Sequence, residues 1–516
     1  MQAPPPTFLH LPDEIILKIA QNLEWGDVLR LRKCTKRLHS LSEDRSVWLE
    51  IFERYRHTIF PRPFLLPKQL EACTSKDLEF VVIGWWKGPR HPSKEPLQPY
   101  MLKISTPNGE SIYCTSSQAL PGGRFFTLTT YHNPSDVWYH DSQNIGKPPE
   151  LLIPSNFQGS HRHGPIKLTV DTILGSRDTN HPNEIGLTND VLFPDEFNVL
   201  VGRYSDNQGA RYPVFEVWRL TAKVVDHEIV GYKSHPLASM TEQVELRVLR
   251  SSLCGKHLAY TFNELRYTVV VDWQSPTTKS KITDFSRIYI PRSSYKFYLL
   301  PGGKIVCVEW KTVSVWNWEK DCPRSNLGPS EYDLVNPTSD ATPEWEESLV
   351  VESLNYPCTG PFFIHDSARL VIRTGKDQML GLVVPDNALT VKSSSDLSSS
   401  PPGPPMLVVL ADASETGMDF VKKGMALPRW RWAGYRRALV SGVFPGETRR
   451  RFAVVTYRWP CDPVERGGTM TSSGAAGPPL DEDKSHEYVV PSTAVLLELE
   501  NRIIGLSPDA YTVVEF

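Results

Sequence analysis

The segment LPDEIILKIAQNLEWGDVLRLRKCTKRLHSLSEDRSVWLEIF, residues 11–52, differs in composition from the rest of the 516-residue chain. It contains one proline, Pro12, whereas the whole chain contains 44, a share well above the usual value of about 5%. Pro12 followed by two acidic residues is typical of a first helical turn. The sequence therefore predicts three or four short helices here. The first of them carries an apolar stripe at helical spacing: Leu11, Ile15, Ile16, Ile19, Ala20 and Leu23.

A helical unit of about 45 residues buries too little apolar surface to be stable alone. Neither a disulfide nor a metal is expected to compensate, because the eight cysteines of the chain are scattered and no two have CxxC spacing. The apolar stripe is therefore covered either by a second protein or by the rest of the chain. Composition alone leaves both alternatives open.

The same segment resembles an F-box. The resemblance rests on the Leu-Pro-acidic-acidic start at residues 11–14, an apolar first helix, a central apolar helix and Trp48 near the end. Cys34 occupies a position where valine is common. In F-box proteins this motif binds the Skp-type adaptor of a cullin-based ubiquitin ligase, so the resemblance implies an adaptor and a cullin as partners. It also implies the following candidates for the adaptor contact, some of which belong to the internal core: Leu11, Pro12, Ile15, Ile16, Ile19, Val28, Leu31 and Cys34.

Two changes in the sequence pattern follow the F-box-like segment. Three prolines interrupt the chain between residues 61 and 67, and an apolar-rich stretch then predicts one helix ending near Trp85 and Trp86. We expect this tryptophan pair to pack the connector against the following domain. From about residue 110 the pattern becomes one of strands. The predicted units are an F-box domain at residues 8–55, a connector with one helix at residues 56–109 and a β domain at residues 110–516.

The β domain contains apolar and β-branched runs of five to eight residues separated by Gly, Pro, Asn and Asp, a pattern typical of strands and turns. A Leu-Pro-Gly-Gly turn at residues 120–123 recurs at residues 300–303. Strands with a tryptophan near their end recur as well, around Trp138, Trp218, Trp273 and Trp316. This repetition favours a degenerate six- or seven-bladed β-propeller resembling the WD-repeat proteins, with a pair of β-sandwiches as the alternative. The C-terminal segment is expected to complete the ring by pairing with the first blade.

Two Ser/Gly/Pro-rich segments interrupt the β domain, at residues 392–405 and 466–485. Because such segments cannot bury a core, we expect them to form flexible surface loops. The expected fold class is thus multi-domain, with a small N-terminal helical F-box followed by a mostly antiparallel all-β domain.

The sequence carries no catalytic signature of the GxSxG, GxGxxG or Walker type, and no zinc-ligand spacing. We expect no enzyme activity, no cofactor and no metal. The net charge of −3 provides no overall attraction for nucleic acid, and no apolar run reaches the length of about 18 residues needed to span a membrane. The first residues lack the basic leader and uninterrupted apolar stretch of a signal peptide. We therefore expect an intracellular protein, in the cytoplasm, the nucleus or both.

One segment is strongly basic, in contrast to the slightly negative chain as a whole. Between Lys422 and Trp459 there are ten basic residues and one acid, interleaved with aromatic residues. One interpretation is a docking surface for an acidic or phosphorylated client. The other is a β-hairpin with aromatic side chains inside and arginines that are solvated or ion-paired. The candidate client contacts are Arg429, Arg431, Arg436, Arg437, Arg449, Arg450 and Arg451.

The preferred hypothesis from the sequence is a non-catalytic substrate receptor of an F-box ubiquitin ligase. Its helices would bind the adaptor, and its β domain would hold a client near the transfer machinery. Two alternatives remain: an F-box scaffold that acts outside any ligase, and an unrecognised enzyme in the β domain.

Overall fold

The computed structural model describes most of the helical part and the strands of the β domain. The described residues are 11–87, 100–103, 114–130, 136–144, 147–154, 167–174, 191–207, 210–242, 244–275, 286–294, 296–336, 340–349, 358–364, 367–374, 378–385, 403–412, 426–443, 450–460, 488–489, 493–497, 502–506 and 510–515. The Ser-rich insert predicted at 466–485 and nearly all of that at 392–405 lie outside the described residues.

The N-terminal segment forms four helices, in agreement with the expected three or four. Two of their starts are stabilised by side-chain caps: the Thr35 hydroxyl accepts a hydrogen bond from the Leu38 N–H at 3.2 Å, and the Asp44 carboxylate accepts one from the Ser46 N–H at 2.8 Å. The helices are α1 (Asp13–Gln21), α2 (Trp25–Arg32), α3 (Lys36–Ser42) and α4 (Arg45–Thr58). The connector contains a short 3₁₀ segment (Leu70–Ala72) followed by α5 (Ser75–Lys87).

The described strands form seven antiparallel sheets, most of them four-stranded meanders that follow the chain order. Their bounds are β1 (Tyr100–Lys103), β2 (Cys114–Ala119), β3 (Phe125–Thr130), β4 (Val137–Asp141), β5 (Glu150–Ile153), β6 (Lys167–Val170), β7 (Glu196–Asn207), β8 (Ala210–Val225), β9 (Glu228–Thr241), β10 (Val248–Cys254), β11 (His257–Phe262), β12 (Thr268–Asp272), β13 (Arg287–Ile290), β14 (Lys296–Leu300), β15 (Lys304–Val308), β16 (Thr312–Asn317), β17 (Arg324–Ser325), β18 (Trp345–Ser348), β19 (Cys358–Ile364), β20 (Ser367–Arg373), β21 (Gln378–Pro385), β22 (Met406–Asp412), β23 (Ala426–Ala433), β24 (Arg437–Val443), β25 (Arg450–Thr456), β26 (Tyr488–Val489), β27 (Thr493–Leu497), β28 (Arg502–Leu506) and β29 (Ala510–Glu515). Two short helices, α6 (Trp318–Asp321) and α7 (Pro329–Val335), lie between β16 and β18, and a 3₁₀ turn (Pro301–Gly303) follows β14.

We call the sheets blades 1 to 7. Blades 1 to 3 are β2–β5, β6–β9 and β10–β13, the last extended by β17; blade 4 is β14–β16 with β18; blades 5 and 6 are β19–β22 and β23–β26; blade 7 is β27–β29 with β1. The first strands of successive blades contact one another at four junctions: β6 with β10, β10 with β14, β14 with β19, and β23 with β27. Seven open meanders joined through their first strands are the arrangement of a β-propeller, which confirms the expected fold class.

The C-terminal segment completes the last blade, although not with the partner that the sequence suggested. β29 pairs with β1, with Tyr100 opposite Val513 and Lys103 opposite Ala510, rather than with a strand of blade 1. β1 lies within the stretch predicted as connector. Pairing the first strand of the β domain with its last covers the edge of β29, which would otherwise be exposed.

The two Leu-Pro-Gly-Gly stretches are turns between the first and second strands of blades 1 and 4, as predicted. Their four glycines all have positive φ: 87° at Gly122, 70° at Gly123, 73° at Gly302 and 74° at Gly303. Other residues rarely adopt this conformation, which explains why the signature recurs.

The F-box-like helices and the connector pack onto one end of the blades. In a meander, the turns between first and second and between third and fourth strands lie at one end of a blade, and the remaining connections lie at the other. We call these ends the F-box-side face and the opposite face. The connector reaches the first of them at blade 5, where the Arg62 N–H donates to the Phe363 carbonyl at 2.7 Å, and at blade 2, where the Leu66 N–H donates to the Leu192 carbonyl at 2.7 Å.

A single apolar cluster runs from the helices through the connector into blades 5 and 6. The rest of the chain therefore covers part of the helical unit, one of the two alternatives that composition left open. Buried members from these three parts include Val28, Ile51, Phe60, Trp85, Met379, Tyr435 and Trp459.

Candidate functional site

The structure sorts the candidate adaptor contacts into core and surface. Ile16 and Val28 are fully buried and belong to the interior of the helical unit. Ile15, by contrast, keeps 47% of its surface exposed, although it lies on an amphipathic helix beside a buried isoleucine. The remaining candidates are partly or largely exposed: Leu11, Pro12, Ile19, Leu31 and Cys34. We call these five and Ile15 together the open apolar face, of which Leu31 also packs against the buried core.

The start of the open apolar face is held in place by α3. The Arg37 guanidinium donates to the Asp13 carboxylate at 2.8 Å and to the Leu11 carbonyl at 2.7 Å. These bonds fix the first turn of α1, and with it Leu11 and Pro12, against the third helix. The local fold thus presents the Leu-Pro start of the motif in a defined position.

Behind the open apolar face, α4 forms the centre of the helical unit. Trp48 is fully buried and its indole N–H donates to the Ser42 carbonyl at 2.9 Å. Tyr55 is also buried and its hydroxyl donates to the Glu24 carboxylate. Burial and this carboxylate together raise the pKa of Tyr55 above its ordinary value, so it stays neutral.

The connector closes the other side of the helical unit with aromatic residues. Phe60 and Phe64 stack with ring centroids 4.1 Å apart, and Trp85 meets both of them edge-on at 5.6 Å. Trp85 also stacks on Tyr435 of blade 6, at 6.0 Å. The expectation that the tryptophan pair packs the connector against the β domain is confirmed for Trp85 by this contact.

The basic segment does not form one surface. Arg436 and Arg437 follow β23 at the F-box-side face and are only 5% and 3% exposed. Both donate to backbone carbonyls of α5, so they are not available to a client. We therefore correct their assignment as client contacts. Buried aromatic residues surround them, in line with the hairpin interpretation: Tyr435, Tyr457 and Trp459.

Four of the other five arginines lie on the strands of blade 6. Arg429 and Arg431 are on β23, and Arg450 and Arg451 begin β25; Arg449 lies outside the described residues. Because β25 starts at the turn that follows β24, Arg450 and Arg451 are at the opposite face, away from the F-box-like helices. The structure thus divides the predicted cluster between the two faces, and these five arginines remain predicted client contacts.

The described residues show no group of three or more His, Cys, Asp or Glu side chains placed to hold a metal. Burial raises the pKa of the Cys73 thiol to about 11 and those of Cys307 and Cys322 to about 12, so these thiols are protonated at neutral pH and weakly nucleophilic. No helix in the described part of the chain is long and apolar enough to cross a membrane.

One cavity of about 600 Å³ lies at the rim of blades 2 and 3, lined by Glu242, Val244, Arg287 and residues 325–331. Its two most buried charged groups neutralise each other, because the Arg287 guanidinium donates to both carboxylate oxygens of Glu242 at 3.0 and 3.1 Å. Arg287 also donates to the Asn326 carbonyl at 3.3 Å. The pair therefore joins blade 3 to the end of blade 2.

An F-box-like family model matches residues 8–54 of this chain. Among solved structures, the β-propeller domain of Cps50 (Swd1) from Myceliophteria thermophila is similar at 10% identity and a TM-score of 0.36, over 81% of this chain and 100% of that chain. The fission yeast SREBP–SCAP binding domains match at 10% identity and a TM-score of 0.31, over 64% of this chain and 90% of theirs. Chaetomium thermophilum Sqt1, bound to the N-terminus of a ribosomal protein, matches at 13% identity and a TM-score of 0.30, over 77% and 82%. No curated protein matches the sequence.

Proposed function

We propose that this chain, an F-box protein with a propeller-like β domain, is the substrate-receptor subunit of a Skp/cullin/F-box ubiquitin ligase. The observation that carries the proposal is the exposure of Ile15 on α1, next to the fully buried Ile16. α4 and the connector bury the interior of the helical unit, and the open apolar face remains. A second protein that covers this face would remove its apolar area from water, which favours association by about 25 cal/mol per Å² before the costs of binding.

The contribution of such a subunit is proximity rather than bond chemistry. The F-box-like helices would bind the Skp-type adaptor, through which the cullin is reached. The β domain would hold a client within reach of the ubiquitin-transfer machinery, which raises the effective concentration of the reacting groups. No catalytic residue of this chain takes part in the proposal.

The client would bind at the opposite face, because the helices and the connector occupy loops of the F-box-side face. Charge supports an acidic or phosphorylated client. The first strands of the seven blades, which lie nearest the centre of the domain, contain five basic residues and no Asp or Glu, in a chain with a net charge of −3. Arg450 and Arg451 lie at the start of β25, at the opposite face. Arginine offers a planar fork that matches carboxylate and phosphate groups.

An intracellular location, in the cytoplasm, the nucleus or both, belongs to the same proposal. Its support is that five of the eight cysteines are free thiols, as is usual in reducing compartments: Cys34, Cys73, Cys254, Cys307 and Cys322.

The experiment that tests the proposal is purification of the full chain with a Skp-type adaptor and a cullin. A receptor forms a stoichiometric complex with both, and the complex transfers ubiquitin to proteins that the β domain retains. A complex with the adaptor that excludes the cullin would contradict the ligase role and favour the scaffold alternative. Absence of adaptor binding would contradict both.

A further inference from the structure

The C-terminus of α5 is capped by blade 6. The last four carbonyls of a helix have no partner within the helix, and Gly84 and Trp85 belong to this group in α5. Arg437 donates from Nη2 to the Gly84 carbonyl at 2.6 Å, and Arg436 donates from Nη1 to the Trp85 carbonyl at 3.3 Å. The positive charge of both arginines is also favourable at the negative end of the helix dipole. A turn of the β domain therefore supplies the donors that α5 lacks.

Aromatic contacts strengthen this cap. The Arg436 guanidinium lies over the ring of Trp85 at 5.4 Å and over that of Trp86 at 4.7 Å. Trp85 stacks on Tyr435, and Tyr435 stacks in turn on Trp459 at 5.4 Å. Because Arg436 is 5% exposed, these cation–π contacts are largely removed from water, where they are strongest.

The other half of α5 is joined to the F-box-like helices. Glu79 of α5 accepts two hydrogen bonds from Arg32 of α2, one at each carboxylate oxygen and both at 2.9 Å. Both side chains are less than one-fifth exposed, so this bidentate pair is only weakly screened by solvent. α5 is therefore tied by arginine to α2 within the F-box-like unit and to the first turn of blade 6.

We propose that Arg436 and Arg437 are positioning residues that fix the orientation of the F-box-like unit on the β domain. Their hydrogen bonds and ring contacts described above are made with α5. By holding α5 they set the distance and angle between the open apolar face and the opposite face. We call the contacts of Arg436 and Arg437 with α5 the clamp. Its consequence for ubiquitin transfer rests on the proposed function, whereas the clamp itself does not.

The test compares hydrogen exchange in the full-length protein, its R436A/R437A variant and R458A as a matched control. Arg458 belongs to the same basic segment and is exposed, so its removal leaves the clamp intact. In the double variant we expect amide exchange in residues 75–87 to accelerate about tenfold or more, because α5 opens locally while the blades stay folded. R458A should exchange like the wild type. Unchanged exchange of α5 in a folded double variant would overturn the proposal.

The single variant R437K keeps the test decisive if the double variant does not fold. Lysine retains the charge and one donor for the Gly84 carbonyl but lacks the planar fork. We expect α5 to exchange faster in R437K than in the wild type, with blade 6 unchanged and adaptor affinity retained within about twofold. Equal exchange of α5 in R437K and the wild type would then overturn the proposal.

Ubiquitin-ligase assays provide a second test of the proposal. Both binding steps should survive in R437K, while the yield of ubiquitinated client falls because the two surfaces are no longer held at one distance. If the wild-type complex transfers no ubiquitin, the proposed function fails and the exchange measurement still decides the clamp. If the wild-type and R437K complexes transfer ubiquitin equally well, the proposal that the clamp orients the two surfaces is refuted, even if α5 exchanges faster in R437K.

Discussion

Ile15 and Ile16 are neighbours in the sequence, yet Ile15 is 47% exposed and Ile16 is fully buried. Successive side chains on an α-helix point in directions about 100° apart, so one residue can lie in the core while the next lies on the surface. The same helix, α1, thus supports the fold with one isoleucine and presents the other. This separation allows the two roles to be tested independently.

Substitution of Ile15 by Asp should abolish adaptor binding without unfolding the chain. The new charge would be buried unpaired in an apolar contact, and we expect the affinity to fall by at least about 30-fold, which corresponds to about 2 kcal/mol. The measurement is a titration of the full chain with a Skp-type adaptor. Leu151→Asp is a matched control, because Leu151 is 46% exposed and lies on β5 of blade 1 rather than on the helical unit. Wild-type affinity of the Ile15→Asp variant would contradict the proposed surface.

Truncation of Ile16 to Ala should destabilise the helical unit instead. Removing a buried isoleucine side chain leaves a cavity, and the expected loss in unfolding free energy is about 2–4 kcal/mol. Ile15→Ala should change it by less than about 0.5 kcal/mol. Denaturant unfolding of both variants gives the comparison. Equal destabilisation by the two substitutions would show that α1 does not bury one isoleucine and expose the other.

Local sequence predicted those features that depend on neighbouring residues. The Leu-Pro-Gly-Gly turns follow from the need for positive φ at adjacent positions, and α1 follows from its apolar spacing and its Pro12 start. Spacing alone could not separate Ile15 from Ile16, because both lie within one apolar stripe. The separation depends on which side of α1 the rest of the helical unit covers.

Contacts between distant parts of the chain could not be predicted in this way. Arg437 and Gly84 are 353 positions apart, and nothing near Arg437 indicates that its partner is a helix end. The available signal was the tryptophan pair at the end of α5, which needed a partner in the β domain. Likewise, the pairing of β29 with β1 depends on a strand of four residues that has no distinctive pattern.

Gly381 should not tolerate a side chain. It lies on β21 of blade 5, and a Cβ added there would collide with the indole ring of Trp459, which is itself buried. We expect Gly381→Ala to cost about 1–3 kcal/mol of unfolding free energy. Gly26→Ala is the control, because a Cβ at Gly26 of α2 meets nothing within 4 Å and should be neutral or stabilising. Calorimetric melting of both variants tests this; an unchanged melting temperature for Gly381→Ala would refute the contact.

Asp141 should make stability depend on pH at the acid end. Burial raises its pKa, but hydrogen bonds from Arg124 at 2.9 and 2.7 Å, from the Gln143 N–H and from Asn144 outweigh burial and hold the pKa below its ordinary value of 3.8. A lowered folded-state pKa stabilises the protein above pH 3.8, and the contribution disappears as the pH falls through the folded-state pKa. Asp141→Asn should therefore lose about 1–3 kcal/mol at neutral pH. The difference from wild type should shrink below pH 3.8 in unfolding curves; a difference independent of pH would contradict this assignment.

Charge reversal at the opposite face should separate client binding from adaptor binding. Replacing Arg449, Arg450 and Arg451 by Glu changes the local charge by six units at the start of β25, and an acidic or phosphorylated client should then be lost. Adaptor affinity should stay unchanged, because the open apolar face lies beyond the other end of the blades. The matched control is Arg458→Glu, which reverses one exposed arginine of the same segment. Quantitative mass spectrometry of proteins retained by each variant gives the result. Retention of the same clients by the triple variant would leave solvated arginines as the remaining interpretation of these three residues.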